Sequence, residues 1–202
     1  MKLYYFSGAC SLASNIALRE AGLNFELVKV DRRTRKTGDG LDYDEVNPKG
    51  YVPALRLESG EVLTENIAVL QYIADQRPEA KLAPPAGTMD RYRLIEWLAF
   101  ISTEIHKSFS PLFRDDAHAE VKQHARKHIT ARLGYLNGAM GSRSFLMGEQ
   151  FTVADAYLFT VLGWGRYVDV QLAQWPQLHR HHERVGARPH VIEALKSEGL
   201  LK

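Results

Sequence analysis

The spacing of apolar residues switches from strand-like to helix-like several times along the chain. Residues 3–6, Leu-Tyr-Tyr-Phe, form a short apolar run that predicts a buried strand, broken by Ser7 and Gly8. Strand alternation predicts that one of Tyr4 and Tyr5 is buried and that Tyr5 is core packing. From Ser11 the apolar residues Leu12, Ile16 and Ala17 share one helical face, and Gly22 supplies a stop. Residues 25–30 are β-rich and partly alternating. A strand following a helix this closely predicts a βαβ unit with parallel strands. After a charged loop over residues 31–40, Pro48 and Gly50 mark a turn. Pro53 cannot donate to a sheet ladder, so it begins the strand over residues 54–57. A tight turn over 58–61 and Val62-Leu63 complete a hairpin. Ile67, Leu70, Ile73 and Ala74 then lie at helical spacing, on a helix that starts at Thr64 or Glu65 and stops before Pro78. The order is β-α-β, then β-β-α.

Residues 81–88 hold Pro84-Pro85 and Gly87 and no apolar periodicity, which makes them the domain boundary. The expected division is 1–80, a linker over 81–88, and 89–202. Everything beyond the linker reads as helical. Leu94, Leu98, Ile101, Ile105 and Phe109 form a stripe on one long helix ending near Pro111. A second long helix covers residues 117–140. Thr152 and Asp155 match a capping box ahead of apolar residues 156–164 and are read as structural. Shorter helices follow around 176–185 and 189–195. The expected class is α+β, a small mixed domain followed by an all-α domain.

Composition narrows the functional classes. The chain has 202 residues, ample for a sizeable core, and is 45% hydrophobic and 25% charged, as ordinary globular proteins are. Lys and Arg total 26 against 24 Asp and Glu, so the net charge of +2 points to no nucleic acid or other polyanion as partner. A single cysteine excludes an internal disulfide framework and fits a reducing compartment. The apolar start is too short for a signal peptide, and no apolar run approaches the length of a membrane span. The expected location is the cytoplasm.

That lone cysteine, Cys10, sits at the first strand-to-helix turn. Unpaired helix amides and the positive end of the helix dipole favour a thiolate there, although a small buried hydrophobe is the plainer role. Arg32, Arg33, Arg35 and Lys36 form either a solvated loop or an anion-attracting rim beside it. His124 and His128 are four apart on a helix, and His179, His181, His182 and His190 cluster later. No cysteine or paired carboxylate completes a closed metal site, so no metal is expected.

Six segments together resemble the bacterial beta-class glutathione S-transferases: Gly8-Ala-Cys10-Ser11-Leu-Ala, Asn47-Pro-Lys-Gly-x-Val52-Pro53-Ala-Leu, Thr64-Glu65, Glu96-Trp-Leu, Glu104-x-His106-Lys107 and Phe151-Thr-x-Ala-Asp155-Ala-Tyr. They span nearly the whole chain in the right order. The resemblance implies a thioredoxin-like glutathione-binding first domain, an all-helical second domain contributing the electrophile pocket, and a homodimer. It implies a cis Val52-Pro53 bond, with the Val52 backbone pairing with glutathione like an added strand. Glu65 and Asn66 would hold the γ-glutamyl group by side-chain charge and helix-start amides. Arg35, Lys36 and Lys107 would attract the glycine carboxylate, and Glu104 would contribute across the dimer. His106 would reach the sulfur, with Cys10 beside it and Ser11 as the fallback hydroxyl donor. Two positions depart from the family pattern: Asn66 stands where Ser or Gly is commoner, and Ala99 where some relatives carry Asn. Phe109, Phe113, Tyr157 and Trp164 are candidates for an apolar pocket as well as for the core.

Three functions follow as expectations. The first is conjugation of glutathione to an apolar electrophile. The second is monothiol redox chemistry or reductive dehalogenation at Cys10, there being no Cys-x-x-Cys pair. The third is a non-enzymatic docking module of the same fold, which has no need of the glutathione-site residues.

Overall fold

A computed structural model describes all 202 residues. Contacts divide the chain into two units, residues 1–83 with 187–202, and residues 84–186. The boundary falls inside the Pro84-Pro85 segment. The grouping of the last sixteen residues with the first unit has no local signature, because it depends on contacts with residues far away in sequence.

In the first unit, β1 (Lys2–Tyr5) leads through α1 (Ser11–Glu20) to β2 (Glu26–Lys29), which pairs parallel with β1. A short helix, α2 (Tyr43–Val46), precedes the antiparallel hairpin of β3 (Ala54–Arg56) and β4 (Val62–Thr64), and α3 (Asn66–Gln76) follows. β1 is antiparallel to β3, and the sheet order is β2-β1-β3-β4. This is the expected mixed sheet and the thioredoxin-like arrangement.

Two local expectations need correction. Tyr4 and Tyr5 are both buried, at 2% and 6% exposure. Alternation sends them to opposite faces, and both faces of the sheet are covered. Tyr4 packs with Val28, Val30, Tyr43, Val46 and Val52. Helix α2 supplies part of that cover and is missing from the sequence reading, because four residues are too few to show a period. Helix α1 was expected to bury one stripe, but every residue from Ser11 to Leu18 is buried. It lies among β1, α3 and α9 (Pro189–Ser197), and neighbours on several sides leave no solvent face over that stretch.

In the second unit, Thr88 caps α4 (Met89–Phe100) by accepting the Arg91 N–H at 3.2 Å. The predicted continuous helix to Pro111 is not continuous. Residues Ile101–His106 form a π-helical turn, followed by α5 (Lys107–Phe109) and a 3₁₀ turn, Ser110–Phe113. Ile101, Ile105 and Phe109 nevertheless stay buried. Eight α-helical residues overshoot two turns by about 80°, so apolar residues at 101, 105 and 109 would drift off one face. The wider π turn takes up that drift. Beyond it run α6 (Ala119–Met140), α7 (Val153–Leu162) and α8 (Pro176–Gly186). Helix α7 is buried along its whole length and is the axis of this unit.

Candidate functional site

The first cluster grows from the end of β1. Gly8 turns the chain with φ +72°, a conformation that side chains strain to adopt. Cys10 follows in helical conformation immediately before α1. Its thiol donates to the Val52 carbonyl at 3.2 Å, and the Val52-Pro53 bond is cis. The two motifs, more than forty residues apart, thus meet at one point. The loop bearing Val52 is itself tied down: the Tyr43 hydroxyl and the Asn47 amide both donate to the Tyr51 carbonyl at 2.7 Å. Burial pushes the Tyr43 phenol up to about 12, so it stays protonated as a donor. Ser11, fully buried, points the other way and donates to the Phe6 carbonyl at 3.4 Å.

Beside this loop, Glu65 takes a left-handed conformation, φ +67°, and opens α3. Such strain in a non-glycine residue is a common mark of a functional position. Its carboxylate pairs with Lys49 at 2.8 Å, and Lys49 also donates to Thr64 Oγ1 at 3.0 Å. The pair is exposed and worth at most about 1 kcal/mol, so an incoming cation can displace Lys49. Asn66 is buried, accepts from the Ser14 hydroxyl at 2.8 Å through Oδ1, and leaves its Nδ2 without a protein partner. A buried amide donor at a helix start is suited to a carboxylate.

Arg35 is engaged elsewhere. It donates to the Gly50 carbonyl at 3.0 Å and pairs with Asp44, and its guanidinium lies over the Tyr43 ring. It braces the loop that carries Tyr51 and Val52. Lys36 is exposed, with its carbonyl accepting the Asp31 N–H.

A carboxylate that the sequence reading missed closes this cluster from the far end of the chain. Glu198, 5% exposed, accepts the Gly8 N–H at 2.9 Å and the Asn15 amide at 3.1 Å. Its carbonyl accepts the Ser7 hydroxyl at 2.6 Å. Burial pushes its carboxyl up to about 7, against hydrogen bonds from Gly8 and Asn15 that pull it down. A single glutamate near the C-terminus gives no local signal of this role.

The second cluster lies in the helical unit, on the π turn. The motif Glu104-x-His106-Lys107 splits between faces. The Glu104 carboxylate turns to α6, 2.7 Å from Arg132 and 3.4 Å from His128. His106 turns to α7, with Nδ1 2.6 Å from the Tyr157 hydroxyl. The Trp164 ring stands edge-on to His106 with centroids 4.7 Å apart, and Phe109 and Phe113 pack on Trp164 in turn. Burial, then the charge of adjacent Lys107, holds His106 down near 4, so the ring is neutral at pH 7. Lys107 itself is exposed.

The later histidines go to structure. Asp155 accepts from the Leu146 N–H at 2.8 Å and from the Thr152 N–H and hydroxyl at 2.9 Å, and His181 Nε2 lies 2.9 Å from it. His182 stacks on Phe159, centroids 4.5 Å apart. No three His, Cys, Asp or Glu side chains gather as metal ligands.

Comparison with known proteins agrees with this geometry. Residues 8–76 match the family described as glutathione S-transferase, N-terminal domain, and residues 100–189 match glutathione S-transferase, C-terminal domain. Glutathione S-transferase GstA of Escherichia coli O157:H7 is 47% identical over 200 residues, covering 99% of this chain and all of that one. A sphingomonad glutathione S-transferase solved in complex with glutathione is 49% identical with a TM-score of 0.96, over 99% of this chain and 100% of that one. The bacterial beta-class glutathione S-transferase of Sphingomonas chungbukensis is likewise 49% identical, TM-score 0.96, with both chains fully covered.

Proposed function

The chain belongs to the glutathione S-transferase family, in its bacterial beta class, and from that premise we propose that Cys10, Val52, Pro53, Glu65 and Asn66 form its glutathione site and that an apolar electrophile is its second substrate. It is a glutathione transferase with glutathione as co-substrate. The observation that carries the site assignment is the 3.2 Å contact of the Cys10 thiol with the Val52 carbonyl. It brings the only cysteine to the backbone of Val52, which supports a site where the cysteinyl part of glutathione pairs with that backbone as an added strand.

The roles follow from chemistry. Glu65 takes the γ-glutamyl ammonium, displacing Lys49, while the Asn66 amide and the first N–H groups of α3 take the carboxylate. Lys36 and Lys107 attract the glycine carboxylate by charge. Arg35 acts mainly as a brace, and Glu104 contributes from a second copy in a homodimer. Ser11 supports the turn from within the core. Cys10 and His106 favour the glutathione thiolate. Its sulfur then attacks the electrophilic carbon, a C–S bond forms, and the leaving group departs with its electron pair, while the thiol proton has already gone to solvent. Lowered thiol pKa and proximity are the sources of rate. Glutathione binding belongs to the unit that residues 1–83 form with residues 187–202, rather than to residues 1–80 alone, and the electrophile pocket to the helical unit, residues 84–186. No helix is long and apolar enough to cross a membrane. A single cysteine, which leaves no second thiol for an internal disulfide, supports a cytoplasmic location.

Binding to immobilised glutathione and conjugation of a chlorinated nitrobenzene test the reading; a pure protein that does neither refutes it. A second reading has its own observation, since the Cys10 side chain is only partly buried and in no disulfide. Attack of its thiolate on glutathione disulfide would give a mixed disulfide and release one glutathione thiolate, with electrons balanced. Cys10→Ser separates the two: thiol exchange vanishes, whereas conjugation stays within about tenfold of the parent because a hydroxyl can still donate.

A further inference from the structure

The buried hydroxyl of Tyr157 has no part in the reaction as set out above. It is 1% exposed, sits on α7 two residues beyond the Asp155 cap, and meets one ring nitrogen of the one histidine on the π turn. We infer that Tyr157 is a positioning residue for His106: its hydroxyl donates to Nδ1 and holds the neutral ring as the tautomer protonated on Nε2, so that His106 acts as a hydrogen-bond donor and not as a base. This rests on the reading that His106 serves the glutathione sulfur.

Geometry sets the direction of the bond. The separation of 2.6 Å is below the usual range for a ring N–H donor to oxygen, which favours the hydroxyl as donor. The phenol is also the stronger acid of the two donors, which makes O–H to nitrogen the better match. The ring plane is fixed independently. Tyr157 meets it at a right angle with centroids 5.9 Å apart, and Trp164 meets it at 73° with centroids 4.7 Å apart. A neutral imidazole has one proton for two nitrogens. With Nδ1 accepting, the proton belongs to Nε2. Neutrality at working pH is secured by burial and by the neighbouring Lys107 charge. A donor aimed at sulfur favours thiolate over thiol, whereas the opposite tautomer would present a lone pair and favour the thiol.

The π turn and the capping box acquire a common purpose on this view. The turn sends His106 toward α7 while Ile101 and Ile105 keep their places in the core. The Asp155 contacts fix the start of α7, and with it the height at which Tyr157 stands.

The test reads the proton directly. Long-range proton–nitrogen correlation spectra of the full-length protein, labelled on histidine with nitrogen-15, distinguish protonated from unprotonated ring nitrogens. Expected are an unprotonated Nδ1 and a protonated Nε2 on His106 in the parent protein without ligand. A proton on Nδ1 overturns the inference, whatever the activity. This measurement needs no variant. Tyr157→Phe removes only the hydroxyl and should give a tautomer mixture. With it should come a rise in the pH at which bound glutathione ionises, read from its ultraviolet thiolate band, and a loss in kcat of roughly fivefold, the size of one net hydrogen bond. In a His106→Gln background the same change should have no further effect; an undiminished loss there assigns Tyr157 a purely structural role and also overturns the inference. Failure of the parent to form a glutathione thiolate at all, with Nε2 protonated, would instead count against the catalytic reading and leave the tautomer standing.

Discussion

His106 shows how burial changes what a residue can do. An exposed imidazole titrates near neutrality, but this one is held near 4, first by loss of water and then by Lys107. The conjugation rate should therefore rise with pH as the bound thiol ionises, with no second inflection from the imidazole between about pH 5 and 8. Comparing kcat/KM profiles of the parent and His106→Gln checks this: both should shift as one curve, and a step present only in the parent would contradict a permanently neutral ring. Gly8 offers a second residue-level check. A side chain there must adopt φ +72° and meets Leu200 at 3.4 Å. Gly8→Ala should destabilise by about 1–2 kcal/mol in denaturant unfolding, and should also raise KM for glutathione, because the turn carries Cys10.

At the scale of elements, α7 depends on its first turn. Thr152 and Asp155 were legible in the sequence because a capping box is a local pattern of four residues. The pattern did not reveal that the same carboxylate also takes the Leu146 N–H and meets buried His181. The two substitutions should therefore separate. Thr152→Ala should lower stability by about 1 kcal/mol. Asp155→Ala, which strands several buried donors, should lower it by roughly 3 kcal/mol or more. Equal thermal midpoints for the two variants would refute the extra contacts. The π turn illustrates the opposite case. Its apolar residues were identified correctly, yet spacing alone read them as regular helix, since a periodicity does not say whether the backbone stays ideal or widens to keep them buried.

Over the molecule as a whole, the longest-range device is the meeting of the chain's two ends in the first unit. Glu198 and Ser197 reach Gly8, Ser7 and Asn15, while Arg188 forms a two-pronged pair with Glu20 at 2.6 and 2.7 Å. Burial raises the Glu198 carboxyl from 4.5 to about 7, so between those values the native protein holds a proton that the unfolded chain has lost. The stability from this group is complete below pH 4.5 and is lost as pH rises through 7. Glu198→Gln removes the titration. Its stability relative to the parent should improve by on the order of 3 kcal/mol between about pH 4.5 and 8, measured by urea unfolding across that range. A difference that does not change with pH would refute the buried, proton-holding carboxyl.

The sequence by itself determined most of the elements, their order and the family. Apolar period, turn chemistry and capping are written in neighbouring residues, and six motifs in register carry the family. Only the tertiary structure decided how the polar side chains are engaged. Arg35 went to Asp44 and Gly50, Glu104 to Arg132 and His128, and His106 to Tyr157. Cys10 met Val52, and Glu198 closed over the turn that holds Cys10. A hydrogen bond forms where packing brings donor and acceptor within about 3 Å, and packing joins residues whose separation along the chain leaves no periodic trace.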